Sequence, residues 1–162
     1  FYEKVALLRD RIPEATLSTD LIVGFPGETE EEFEMTMEAV RSVCFDLIYS
    51  FKYSSRPGTR AAEYPEHLSE NEKSERLRTL LETQEEIVQK KNDALVGSIQ
   101  EVLIEGKHHR KENTATGRTR GNHPVSIINS ATKVGDLLAV RITGAQPNSL
   151  EAEPISTSTD SG

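Results

Sequence analysis

Two stretches of the chain combine residue types and spacing that can do chemistry. In the first, Ile22-x-Gly24-x-x-x-Glu28, an apolar run ends and turns through Pro26-Gly27. A strand that stops at a glycine and turns at once can bring main-chain groups and small side chains against a flat ligand. The bland alternative is a tight strand-to-helix turn with no ligand, in which Glu28 only complements a helix dipole. In the second stretch, residues 106 to 123 hold Lys107, Arg110, Lys111, Arg118 and Arg120 against Glu112 alone, a local net of +4. Such a patch can track a phosphate backbone, with Asn122 and His123 offering hydrogen bonds or stacking to exposed bases. Its bland alternative is a solvated loop. The spacing places Arg118 and Arg120 two apart on one strand, hence on one face. The pair His108-His109 reads as a surface feature rather than a metal site. Cys44 is the one cysteine, so this chain by itself can make neither a disulfide nor a cysteine-ligated cluster.

The elements that must carry these residues follow from periodicity. Phe1, Val5, Leu8 and Ile12 recur at helical spacing until Pro13 stops them. Thr16 to Phe25 reads as a strand, and Leu21-Ile22-Val23 suits one covered on both faces in a parallel sheet. Thr29 and Glu32 form a capping box for a helix with Phe33, Met37, Val40 and Cys44 on its buried face. Asp46 to Tyr53 is the next strand, parallel to the first through a right-handed crossover. Ser54 to Pro65 has the chemistry of a loop. Ser69 and Glu72 cap a long amphipathic helix to about Asp93, carrying Leu77, Leu80, Leu81, Ile87 and Val88 inward and a solvated acidic face outward.

After Gly97 the period changes to two. Ser98 to Ile104, Thr114 to Thr119, Val125 to Ile128, Leu137 to Thr143 and Leu150 to Glu153 are short strands between turns, which argues for a small antiparallel barrel of OB-like type. The last residues, Ile155 to Gly162, are expected to be disordered.

Composition narrows the classes. The chain has 162 residues, 35% of them apolar, and a net charge of -8. That balance argues against a uniformly basic nucleic-acid binder, but the charge is uneven. Residues 1 to 92 carry 12 basic against 19 acidic side chains, and residues 93 to 162 carry 7 against 8. No apolar run reaches the length of a membrane span and no signal peptide opens the chain, so a cytoplasmic location is expected. The first residue is Phe rather than Met, which fits a piece of a longer polypeptide.

The spacing Ile22-x-Gly24-x-x-x-Glu28 resembles the adenine-side motif of radical S-adenosylmethionine (SAM) enzymes, and Thr19 to Thr29 as a whole is similar to the methylthiotransferases among them. Tyr53-Ser54-Ser55-Arg56-Pro57-Gly58-Thr59 resembles the Tyr-Ser-x-Arg-Pro-Gly-Thr string of that family. Thr116-Gly117-Arg118-Thr119-Arg120-Gly121-Asn122 resembles the TRAM-domain signature of the MiaB type, which modifies tRNA. The resemblance covers roughly residues 1 to 154.

The resemblance implies the C-terminal part of a partial TIM-like radical SAM barrel at 1 to 68, a linking helix at 69 to 93, and a TRAM barrel at 94 to 154. It implies SAM and two 4Fe-4S clusters in the whole enzyme, whose Cys-x-x-x-Cys-x-x-Cys motif this chain lacks. By resemblance, Ile22, Gly24, Glu28, Phe51, Tyr53 and Arg56 belong to the SAM site, Glu28 as the residue that orders the turn. The implied reaction adds a methylthio group to isopentenyl-adenosine in the anticodon stem-loop of tRNA. With no cluster cysteines, this chain alone is expected to be inactive, to bind no metal and to be a monomer. Two alternatives stay open, a sister enzyme acting on threonylcarbamoyl-adenosine or a ribosomal protein, and a non-catalytic RNA-binding module.

Overall fold

The structure is a computed structural model that describes residues 1–65, 68–109, 111–128 and 132–155. It divides into two compact units, Phe1–Val88 and Gln89–Gly162, with the boundary inside one long helix.

The first unit begins with helix α1 (Tyr2–Arg11), strand β1 (Ser18–Val23), helix α2 (Glu30–Val43) and strand β2 (Leu47–Lys52). β1 and β2 pair in parallel, with Thr19 opposite Ile48 and Ile22 opposite Phe51. The Thr29 capping box forms in full: the Thr29 hydroxyl accepts from Glu32 N at 3.2 Å and Glu32 returns the bond to Thr29 N at 2.9 Å. It satisfies orphan amides at the start of α2, where Glu30, Glu31 and Glu32 also face the positive end of the dipole. The inward face of α2 is Phe33, Met37, Val40 and Val43. Cys44, expected in that core, instead ends the helix as a half-buried cap with φ of 50°, its Sγ donating to Arg41 O at 3.0 Å. Once the backbone enters the left-handed region the helical spacing no longer points position 44 inward, and Val43 takes the place.

Helix α3 (Glu70–Leu95) completes the core of this unit with its stretch up to Ile87. Leu80 is buried against Val23, Met37 and Ile48, with Leu77 and Ile87 beside it. Leu81, expected inside, stands half exposed. The Ser69–Glu72 capping box forms as the sequence implies. A short 3₁₀ turn at Arg60–Glu63 lies in the expected loop.

The sheet departs from expectation in one respect. All three helices' packed residues meet the face of Thr19, Leu21, Val23 and Ile48, whereas Ile22 and its partner Phe51 are 54% and 56% exposed. β1 is thus covered on one face among the described residues, not on two. Its near-continuous apolar run does not distinguish the two cases.

The second unit is a closed barrel in the order β3-β4-β5-β7-β6, made of β3 (Ile99–Lys107), β4 (Thr114–Thr119), β5 (Pro124–Ile128), β6 (Leu137–Gln146) and β7 (Ser149–Pro154). Its core is aliphatic: Val102, Ile104, Ala115, Val125, Ile127, Val140, Ile142, Leu150 and Ala152. The expectation of an antiparallel barrel needs correcting, because β5 and β7 run parallel. Five strands closed into a ring cannot alternate direction all the way round, so one neighbouring pair must agree. The strand order and the parallel pair are those of an OB-type barrel. Register shifts next to Gly106 in β3 and Gly144 in β6 supply the local bends that closure requires. Of the tail expected to be disordered, Ile155 is held, its N–H donating to Ala139 O at 3.2 Å, and residues from 156 onward lie outside the described residues.

Candidate functional site

Each strand of the first unit ends in the same local device. Phe25-Pro26-Gly27-Glu28 closes with Glu28 N donating to Phe25 O at 2.9 Å, and Gly27 sits at φ of +85°. Arg56-Pro57-Gly58-Thr59 closes with Thr59 N donating to Arg56 O at 3.3 Å, and Gly58 sits at φ of +80°. Proline at the second position and a left-handed glycine at the third give the type II turn in both. Both turns follow the C-terminal ends of parallel strands, and Tyr53 N extends the pairing by one rung to Val23 O at 2.9 Å.

Gly24, between β1 and its turn, is held from two sides. Its φ is +71°, and an added Cβ would lie 2.5 Å from Lys73 Cγ, so both backbone and space call for glycine. Its N–H donates to Glu28 Oε2 at 2.7 Å. The same oxygen accepts from Arg76 Nη1 at 2.7 Å. Arg76 also donates to Thr29 O at 3.2 Å and, through Nη2, to Glu30 Oε2 at 2.8 Å. Its guanidinium lies 5.0 Å from the Phe33 ring centre.

Lys73 is buried to 1% exposure, its stem against Gly24 and its ammonium 3.2 Å from Glu70 and 5.7 Å from the Tyr53 ring centre. Tyr53 is buried with its ring edge-on to Phe25, and its hydroxyl has no hydrogen-bond partner among the described residues.

On the uncovered face, Ile22 and Phe51 lie opposite each other as an apolar shelf, with Asp20 and Tyr49 one alternation further back. The shelf, the Gly24 turn and the exposed Arg56 turn share the C-terminal ends of the strands, where α/β sheets bind ligands. The arrangement can hold a flat, partly apolar ligand. A groove of about 350 Å³ opens on the other face, lined by Leu21, Met35, Val40 and Phe45, and it contains none of the expected site residues.

Sequence reasoning missed Lys73 and Arg76, assigning their helix a solvated polar face. A usable signal existed: residues 73, 76, 77, 80, 84 and 87 form one stripe at helical spacing, so the two cations share the face of Leu77, Leu80 and Ile87.

In the barrel, Gly117 is the position without latitude. A Cβ there would meet Leu103 O at 2.2 Å and Val102 Cγ1 at 2.7 Å, so only glycine lets β3 and β4 approach. Arg118 is exposed on β4, where Nη1 donates to Asn122 O and Oδ1 at 3.2 Å each and Nε lies 3.4 Å from Glu105. Arg120 lies beyond β4, in the turn to β5, so alternation does not put it on one strand face with Arg118. The chain leaves the strand there because Thr119 and Asn122 close the turn, Asn122 N donating to Thr119 O at 2.9 Å with Asn122 at φ of 65°.

Lys107 ends β3. Lys111 in the β3–β4 connection is 3.4 Å from Glu151, and its N–H donates to His108 Nδ1 at 3.2 Å. Arg110 lies outside the described residues. Among the described residues no group of three or more His, Cys, Asp or Glu side chains is placed to hold a metal, and no helix is long and apolar enough to cross a membrane.

Comparison with known proteins adds two findings. Residues 93–155 match the TRAM domain, which places that domain on the barrel. The chain is 45% identical over 157 residues to the tRNA-2-methylthio-N(6)-dimethylallyladenosine synthase of Thermodesulfovibrio yellowstonii, across 97% of this chain and 36% of that protein. It is 42% identical over 146 residues to the synthase of the same name from Pelotomaculum thermopropionicum and 45% identical over 147 residues to that from Acetivibrio thermocellus, covering 33% and 31% of those proteins. The chain therefore spans about a third of the length of the curated relatives it matches.

Proposed function

We infer that this chain is part of a MiaB-type tRNA methylthiotransferase, taking as premise its TRAM domain and its likeness to synthases of that name. The observation that carries the reading is 45% identity sustained over 157 residues, which includes the turn motifs as well as the barrel. In this reading β1, α2 and β2 are the C-terminal part of a radical SAM barrel, and the barrel of β3 to β7 binds tRNA at the anticodon stem-loop. The enzyme adds a methylthio group to isopentenyl-adenosine in the cytoplasm.

The residues present fit one of the two implied groups. The apolar shelf of Ile22 and Phe51 beside the Gly24 turn suits the adenine end of SAM, Glu28 orders that turn, and Tyr53 and Arg56 belong to the neighbouring strand end. SAM with its cluster supplies the radical chemistry when bound. An iron-sulfur cluster does not fit here, since Cys44 is the only thiol and is spent as a helix cap bonded to Arg41 O. This chain therefore binds and orients, and by itself carries out no turnover.

On the barrel, OB-type folds use the middle strands and the connections between strands one and two and strands four and five for nucleic acid. Here those are β4 with β5, the connection 108–113 between β3 and β4, and the β6–β7 turn. Arg118 lies on β4, Arg120 and Asn122 in the turn that follows it, and Lys107 and Lys111 at or in the connection from β3 to β4, which supports RNA as their ligand.

The test is mass spectrometry of tRNA nucleosides from cells lacking the full-length protein. The 2-methylthio nucleoside should vanish and its isopentenyl-adenosine precursor should accumulate. Unchanged nucleosides would overturn the reading in favour of a non-catalytic RNA-binding module.

A further inference from the structure

We propose that Arg76 on α3 is a positioning residue for the Gly24–Glu28 turn, setting the strand end that receives SAM; this rests on the reading of Ile22 and Gly24 as the adenine-side site. The Glu28 carboxylate is nearly buried and one of its oxygens serves both Gly24 N–H and Arg76. Without Arg76 that carboxylate would lose the guanidinium paired with it at 2.7 Å, and it would turn toward water and release the Gly24 amide. The guanidinium has the shape for the task. One nitrogen binds Glu28 and Thr29 O while the other binds Glu30, so the fork clamps the turn and the first turn of α2 together.

A charge network is a poor choice if the only task is to hold α3 in place. An aliphatic side chain at position 76, in line with Leu80, would pack there at no desolvation cost, and buried pairs often stabilise no better than apolar replacements. What an aliphatic side chain cannot do is keep Glu28 ionised and aimed at Gly24. Arg76 lies 48 residues from Glu28 in sequence, outside the motif whose geometry it sets.

The experiment uses the full-length, cluster-loaded enzyme and reads SAM affinity, KM for SAM against kcat, iron content and tRNA affinity. Arg76→Gln should weaken SAM binding about tenfold and raise KM to match, with kcat, iron and tRNA affinity close to the parent. Arg76→Lys should recover part of the loss, to roughly threefold, by restoring the charge without the fork. SAM affinity within twofold of the parent in Arg76→Gln, or a fall in kcat at unchanged KM, overturns the proposal.

Ile22→Asp, on the exposed shelf, separates this failure from that of the underlying site: if it too keeps parental affinity, the SAM site itself has been misassigned. Should Arg76→Gln not fold, Glu28→Gln replaces it, with the same loss expected and parental affinity again overturning the idea.

Discussion

The two units solve the problem of a small core in opposite ways. The barrel closes on itself, so every strand has two neighbours, and its described core is aliphatic with Thr114 and Thr119 as the buried polar residues of its strands. The α/β unit has two strands with one covered face, and it buries two cations, Lys73 and Arg76, beneath the turn that ends β1. Closure lets the barrel use side chains for packing alone. Where a turn must be held at a set geometry next to an open face, charge-assisted hydrogen bonds do what packing cannot, because they have direction.

The comparison can be broken first in the barrel. Gly117→Ala should cost ~3 kcal/mol in denaturant unfolding, since the Leu103 carbonyl that its Cβ would strike belongs to a closed ring that cannot shift one strand alone. A loss under 1 kcal/mol would mean that the ring yields.

The contrast between the sheet's faces comes next. Ile48→Ala, on the covered face, should cost about 2 kcal/mol in this chain, whereas Phe51→Ser, on the open one, should stay within about 0.5 kcal/mol. Equal losses would show that both faces are packed.

Replacing Arg118 and Arg120 together by Ala should weaken tRNA binding by the full-length enzyme roughly tenfold and make its salt dependence shallower, by about one unit of slope for each phosphate no longer neutralised. Unchanged affinity across several salt concentrations would remove the basic surface from the argument.

The smallest effect lies at the start of α3. The Ser69 amide, then its hydroxyl, hold the Glu72 carboxyl below the usual carboxylate range. A carboxyl whose folded pKa is depressed contributes stability that is present above its unfolded pKa and lost as pH falls through the folded one. Protection of the amides in the first turn of α3, taken relative to their intrinsic exchange rates, should therefore fall as pH drops through the Glu72 pKa, and Glu72→Gln should remove that fall.

Much of the fold was legible because its signals are local. Both capping boxes span four residues, the Pro-Gly turns are set by two, and the five barrel strands follow from alternation between turn residues. Within the candidate site, Ile22, Gly24 and Glu28 share one motif spacing and Phe51 comes from the family resemblance; the register sets Ile22 and Phe51 opposite each other. Cys44 and Arg120 were misread for one shared reason. Each lies one step past the end of an element, where the period that had held up to that point stops applying.

By itself the sequence determined the elements, their order, the glycines at turns and the lack of cluster cysteines, all properties of neighbouring residues or of composition. Only the tertiary structure decided that β5 meets β7 in parallel, that Ile22 stands on an open face, and that Arg76 reaches Glu28 across 48 residues. These depend on ring closure and on which helix lands on which face. No window of a few residues contains that information.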